Sequence, residues 1–215
     1  MNTEAQNAST PEAPIPQTWV KDTTQAMRKP GGRDLADYKE FLGFDERRLA
    51  GKTVLDLGSG SKEKLAGELK KAGVEANVIS LNPDYSLKKY RRIINDQENW
   101  QKKSVAAVAQ TLPFKDASFD VILGLESITM YEDALDKPES AKSWAKEIAR
   151  VLKSGGEARL GEILGMKGEA VQRSWQGLIK FLENLGLETN IETFKIRETN
   201  PQPRYRLVIK KPLPQ

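Results

Sequence analysis

Asp56, Gly58 and Gly60, within the run TVLDLGSGSK at residues 53–62, are the residues whose types and spacing best suit chemistry. Two glycines one residue apart let a ligand approach the backbone where a Cβ would intrude. A carboxylate just before them can hold a cation or fix the turn by accepting N–H bonds. Strand, glycine turn and helix, in that order, is how an α/β protein presents N–H groups and a helix N-terminus to a nucleotide-like ligand. The same glycines also suit a plain tight turn, and the rest of the chain has to decide between the two.

What the chain lacks narrows the chemistry. Its 215 residues include no cysteine and no histidine. Disulfides, thiolate metal sites and thiol nucleophiles are excluded, and so is the commonest neutral-pH general base. A metal site would need carboxylates, and no compact acidic cluster resembles one. Any reaction must ask little of the side chains or be carried by a cofactor. The formal charge of +4 is scattered over pairs such as Arg47–Arg48 and Lys102–Lys103, with acidic residues between them. That pattern reads as solvated surface rather than a nucleic-acid track. The exception is Lys88, Lys89, Arg91 and Arg92, which fall close to the expected ligand edge. The N-terminus has no signal-peptide pattern and no apolar run could cross a bilayer, so the expected location is cytoplasmic.

The elements that must position Asp56 and the glycines follow along the chain. Residues 1–30, rich in Pro, Thr, Asn, Gln and Ala, read as a flexible N-terminal arm, with 31–215 as a single domain. Leu35, Tyr38, Phe41 and Leu42 share one face of a helix over 34–42, which either packs on the core or lies over a pocket mouth. Residues 54–57 are the first strand; Leu65, Leu69 and Ala72 line the next helix, which stops at Gly73. Further strands are expected at 76–81, 105–109, 119–123 and 158–163, with a short basic helix at 86–94. A helix within 135–152 closes in the Ser154-Gly155-Gly156 turn, and a long amphipathic helix carries Val171, Trp175, Leu178 and Leu182 up to Gly186. Trp144 and Trp175 fall on apolar faces and are assigned to the core. Turn residues at 200–203, between strands near 188–196 and 205–210, imply an antiparallel closing pair. The alternation argues for an α/β fold, a mostly parallel sheet covered on both faces with an antiparallel edge.

With these segments placed, the chain resembles the class I S-adenosylmethionine-dependent methyltransferases, particularly the small bacterial type. The resemblance spans about residues 50–212 and rests on four segments in order: VLDLGSGS at 54–61, ISLNPDYS at 79–86, LPFKDASFDVILG at 112–124 and ARVLKSGGEARLGEI at 149–163. It implies a Rossmann-like, seven-stranded, mostly parallel sheet with an antiparallel last strand and helices on both faces. It also implies S-adenosyl-L-methionine as cofactor. Asp56, Gly58 and Gly60 would then surround its methionine end, with Asn82 at the ribose and Val108 beside adenine. The backbone of Ala109 is a candidate acceptor for the adenine amino group, and Ser59, Leu81 and Leu125 complete the expected binding set. The chain departs from the family pattern at Lys62, where a third glycine often stands, and at Asn82, where a carboxylate usually takes both ribose hydroxyls. It departs again at Val108, where an acidic residue is expected. A neutral amide at Asn82 makes weaker hydrogen bonds than a carboxylate would.

Methyl transfer from a sulfonium is an in-line displacement with a good leaving group, so proximity and orientation can do much of the work without histidine. The ends of the fourth and fifth strands offer Glu126, Ser127, Thr129, Met130, Tyr131, Glu162 and Met166 towards an acceptor. The candidate catalytic residues are Glu126, as polar contact or weak base, and Tyr131, as cover near the cofactor sulfur. No NPPY-like tetrad of the nucleic-acid-modifying members is found, residues 124–128 reading GLESI. The expected function is methyl transfer to a small-molecule acceptor, with no metal, membrane or nucleic-acid partner. A cofactor-binding relative with little or no turnover, and an RNA or protein methyltransferase, stay open as alternatives.

Overall fold

The structure, a computed structural model, describes residues 33–60, 63–87, 103–129, 138–163, 169–195 and 203–214. Seven strands form one sheet: β1 (Thr53–Leu57), β2 (Asn77–Leu81), β3 (Ser104–Val105), β4 (Phe119–Leu125), β5 (Leu152–Ile163), β6 (Glu188–Phe194) and β7 (Arg204–Lys210). Their order is β3-β2-β1-β4-β5-β7-β6. β7 alone runs antiparallel, to β5 on one side and β6 on the other. The sheet implied by the sequence, including its antiparallel last strand, is the one observed.

Among the described residues four α-helices cover it: α1 (Leu35–Leu42), α2 (Lys64–Lys71), α3 (Pro138–Val151) and α4 (Glu169–Asn184). Side chains alternate along each strand, so β1 sends Val54 to one face and Leu55 and Leu57 to the other. Val54 joins Leu35, Tyr38 and Leu42 of α1 and Leu65 and Leu69 of α2 in one apolar layer. Leu55 and Leu57 join Trp144 and Ile148 of α3 and Trp175 and Leu182 of α4 in the other. Both tryptophans are core residues, as their helical spacing implied.

Helix α1 is fixed at both ends. Asp34 and Asp37 form a reciprocal capping box at its start. At its end Gly43 adopts a left-handed conformation, φ +66°, where a Cβ would run into the guanidinium of Arg206. Arg159 of β5 donates to the carbonyls of Leu42 (2.9 Å) and Gly43 (3.0 Å), satisfying acceptors that the helix itself leaves open. Cations at a helix C-terminus are also favoured by its dipole. α1 is thereby pinned across the sheet.

Two expectations need correction. β3 ends at Val105 instead of running through 109, because the Thr111 N–H donates back to the Val108 carbonyl at 3.1 Å and turns the chain. The Ser154-Gly155-Gly156 segment lies inside β5; Gly155, at φ +77°, gives its N–H to the Lys211 carbonyl at 2.7 Å. A register shift between Phe119 and Val121 absorbs the irregularity. A 3₁₀ turn (Pro83–Ser86) follows Asn82, and the basic helix expected at 86–94 falls almost wholly outside the described residues. The arm at 1–30, Lys62, the basic cluster at 88–92, Met130, Tyr131 and Met166 lie outside the described residues. Among the described residues, no helix is long and apolar enough to cross a membrane.

Candidate functional site

The order of the strands reverses at the β1–β4 junction, and in an open α/β sheet that switch point opens a crevice at the carboxyl ends of the strands. Asp56 stands there, aligned with Ser80 of β2 and Leu123 of β4. It is fully buried, with 0% of its surface exposed. The phenol of Tyr38, reaching across from α1, donates to Asp56 Oδ1 at 2.7 Å. Among the described residues Oδ2 has no hydrogen-bond partner. Burial pushes the Asp56 pKa up to about 7; the Tyr38 hydrogen bond works against that rise, and the nearby Glu63 charge adds to it. A buried carboxylate oxygen left bare costs free energy until a donor reaches it. The donor best suited to a carboxylate is a cation. An ammonium-bearing ligand therefore fits this position.

The glycine turn is tied to β2. The N–H groups of Gly58 and Ser59 donate to the Leu81 carbonyl at 2.8 and 3.2 Å. Two of the donors that a strand–turn–helix could offer a ligand are thus taken by the sheet. The hydroxyl of Tyr85 donates to the Gly60 carbonyl at 2.6 Å and stands 2.5 Å from Ser59 Oγ. Gly58 sits at φ +80°, and a Cβ built on it would lie 2.5 Å from Ser127 Cβ. Its lack of a side chain is required by the protein's own packing, in addition to any ligand. Beyond the turn Glu63 adopts φ +45° and accepts from Ser104 Oγ. Burial raises the Glu63 pKa, while hydrogen bonds from Ser104 and Tyr85 oppose the rise.

At the end of β2, Asn82 Oδ1 accepts from the Asp84 N–H at 2.9 Å and so caps the 3₁₀ turn. Val108 is half-buried, with its carbonyl accepting from Thr111, and Ala109 is buried. At the end of β4, Leu125 is buried and Glu126 takes a left-handed conformation, φ +48°. A non-glycine residue in that region is strained, and such strain gathers at functional sites. The Glu126 N–H donates to the Gly161 carbonyl of β5, and its carboxylate is ion-paired with Arg33, just before α1. Ser127 is buried, its Oγ without a partner among the described residues, and Thr129, two residues on, is buried as well.

Asp56, Gly58, Ser59, Gly60, Leu81 and Asn82 are thus gathered at the ends of β1 and β2, with Leu125 and Glu126 at the end of neighbouring β4. Sequence reasoning missed Arg33, Tyr38, Glu63 and Tyr85. Tyr38 was marked only as part of an apolar face, although a buried tyrosine hydroxyl usually finds a polar partner. Among the described residues no group of acidic side chains could hold a metal ion.

Residues 55–160, from inside β1 to inside β5, match the family model for a methyltransferase domain. The chain carries a class I S-adenosylmethionine-dependent methyltransferase domain. Its cofactor is S-adenosyl-L-methionine. Solved structures share the fold at low identity. An S-adenosylmethionine-dependent methyltransferase from Methanosarcina mazei superposes at TM-score 0.54 with 18% identity, over 76% of this chain and 93% of that one. Another from Methanococcus maripaludis gives TM-score 0.51 and 21% identity, over 81% of each chain. A complex of the Trm112 methyltransferase activator with a methyltransferase from Haloferax volcanii gives 0.55 and 16%, over 77% of this chain and 84% of that one. No curated protein matches the sequence. In this methyltransferase the matched segment holds the buried Asp56, the glycine turn and Glu126 together at one sheet edge.

Proposed function

We propose that this methyltransferase, folded as one domain over residues 31–215 in the cytoplasm, methylates a small-molecule acceptor at the carboxyl edge of β1 and β4. The cofactor, when bound, supplies a sulfonium-activated methyl group. Asp56 receives its ammonium through the unpartnered Oδ2, and Asn82 and Leu81 flank the ribose. Val108 and Ala109 flank the adenine, and Ser59, Gly58, Gly60 and Leu125 complete the cradle. Glu126 is the acceptor-side carboxylate and Tyr131 covers the reacting centre.

The observation that supports a small acceptor is the ion pair between Arg33, just before α1, and Glu126 at the end of β4, with side-chain exposures of 25% and 19%. A side chain fastened across the strand end favours an enclosed acceptor over an open polymer track. The mixed surface charge points the same way, because polymer phosphates call for a continuous basic surface.

The test is incubation of the protein and methyl-labelled cofactor with separated metabolite, RNA and protein fractions of a cell extract. Label carried into low-mass metabolites is expected. Label confined to RNA or protein would replace this reading, and no transfer to any fraction, with cofactor bound, would favour a relative without turnover.

A further inference from the structure

The cofactor site as described uses residues of the matched methyltransferase segment; α1, at residues 35–42, precedes that segment and yet touches its most deeply buried acid. Tyr38 is 4% exposed, and its hydroxyl donates to Asp56 Oδ1 at 2.7 Å across 18 residues of sequence. The helix that carries it is held by Arg159 on the Leu42 and Gly43 carbonyls and by Arg206 at its C-terminal end. The capping box at Asp34 and the Arg33–Glu126 pair hold the other end. A phenol on such a helix has little freedom to leave the carboxylate. A carboxyl group with one oxygen anchored cannot rotate its other oxygen away. That other oxygen, Oδ2, is the one without a partner.

We propose that Tyr38 is a positioning residue for the cofactor: its phenol holds one oxygen of Asp56 and leaves the other set for the ligand's ammonium group. This rests on the reading that Asp56 receives that ammonium. Among the described residues the titratable groups around the carboxylate are few. α1 contributes Tyr38, with Arg33 just before the helix further off; Glu63 lies just before α2; Tyr85 lies in the turn after β2. Glu63 raises the cost of a charge on Asp56, whereas the Tyr38 hydrogen bond lowers it. Tyr38 therefore serves both to orient the carboxylate and to favour its ionised form, the one an ammonium needs.

The experiment compares two ligands that share the nucleoside and differ in the amino acid. S-adenosylhomocysteine carries the ammonium; methylthioadenosine does not. Calorimetric titration of the wild type, Tyr38→Phe and Asp56→Asn at pH 7.5 gives the affinities, and thermal unfolding checks that each variant is folded. Tyr38→Phe is expected to weaken S-adenosylhomocysteine by about tenfold, the loss of one hydrogen bond to a charged group, while leaving methylthioadenosine unchanged. Its affinity for S-adenosylhomocysteine should recover as the pH is raised, since the uncovered carboxylate then ionises. Equal affinities of Tyr38→Phe and wild type for S-adenosylhomocysteine, or an equal loss for both ligands at every pH, would overturn the proposal. If Asp56→Asn lowers the preference for S-adenosylhomocysteine and Tyr38→Phe does not, the proposal falls and the reading of Asp56 stands. If neither variant changes that preference, both fall. Should Tyr38→Phe not fold, 3-fluorotyrosine incorporated at Tyr38 keeps the shape with a more acidic donor. S-adenosylhomocysteine binding should then persist to lower pH than in wild type, and an unshifted profile would overturn the proposal.

Discussion

Arg33 and Glu126 are separated by 93 residues and meet as an ion pair, with Arg33 Nε donating to Glu126 Oε2 at 3.1 Å. The contact joins the chain entering α1 to the end of β4. Glu126 adopts a left-handed conformation there, and the pair ties this residue, the proposed acceptor-side carboxylate, to the start of α1. Both side chains are partly solvated, which limits what the pair contributes. A double-mutant cycle with Arg33→Gln and Glu126→Gln, read by urea unfolding, should give a coupling of about 0.5–1 kcal/mol. A coupling of zero would mean that the pair does not fasten the segment.

Gly58→Ala should destabilise the fold by about 2 kcal/mol or more, from the left-handed conformation and the clash with Ser127. The double variant Gly58→Ala with Ser127→Gly should recover the steric part and keep the conformational part. Chemical denaturation of the three proteins checks this. A harmless Gly58→Ala would mean that the turn can rearrange.

Much of this architecture was legible in the sequence, for identifiable reasons. β1 is a short β-branched and leucine run broken by glycines, and β6 and β7 flank a cluster of turn formers, so local chemistry marks both. Trp144 and Trp175 were placed in the core by helical spacing alone. The grouping of Asp56, Gly58, Asn82 and Glu126 followed from the strand order that the family resemblance implied. What stayed hidden depends on contacts distant in sequence. Periodicity shows that Tyr38 is buried, but not that a carboxylate 18 residues away accepts its hydrogen bond. It cannot show that Gly58 is needed against Ser127, or that the Gly58 and Ser59 N–H groups are used by Leu81. The length of β3 was overestimated because Val108 suits a strand by type, while its carbonyl serves a turn.

Stability of the cofactor-free protein should fall as pH rises from about 4 towards 7, through the contribution of Asp56. Its folded pKa of about 7 lies above the ordinary aspartate value of 3.8, so between those values the folded state holds a proton that the unfolded state has released. The expected slope from this group is about 1.4 kcal/mol per pH unit, flattening above pH 7. Asp45, Glu46, Asp120, Glu139 and Glu147 have lowered pKa values and act oppositely, losing their stabilisation at more acidic pH. Glu63, whose pKa burial also raises, acts in the same direction as Asp56, so unfolding measured from pH 5 to 8 should show a downward slope in the wild type that Asp56→Asn makes shallower. Parallel curves for the two proteins would contradict the burial account.

Asn82→Asp should keep the cap on the Asp84 N–H, because aspartate caps as well as asparagine. Its second oxygen should then tighten S-adenosylhomocysteine by about fivefold, or about 1 kcal/mol, through charge-assisted bonds to the ribose. Titration calorimetry on the variant decides it. Unchanged or weaker binding would place Asn82 away from the ribose.

The central claim is that the edge formed by Asp56, the glycine turn and Asn82 binds S-adenosylmethionine. The most direct test is isothermal titration of the folded wild-type protein with S-adenosylmethionine and with S-adenosylhomocysteine at neutral pH. The account predicts saturable heat for both, with dissociation constants on the order of micromolar to sub-millimolar. No heat for either ligand at concentrations of about 1 mM, with the protein shown to be folded, would contradict it.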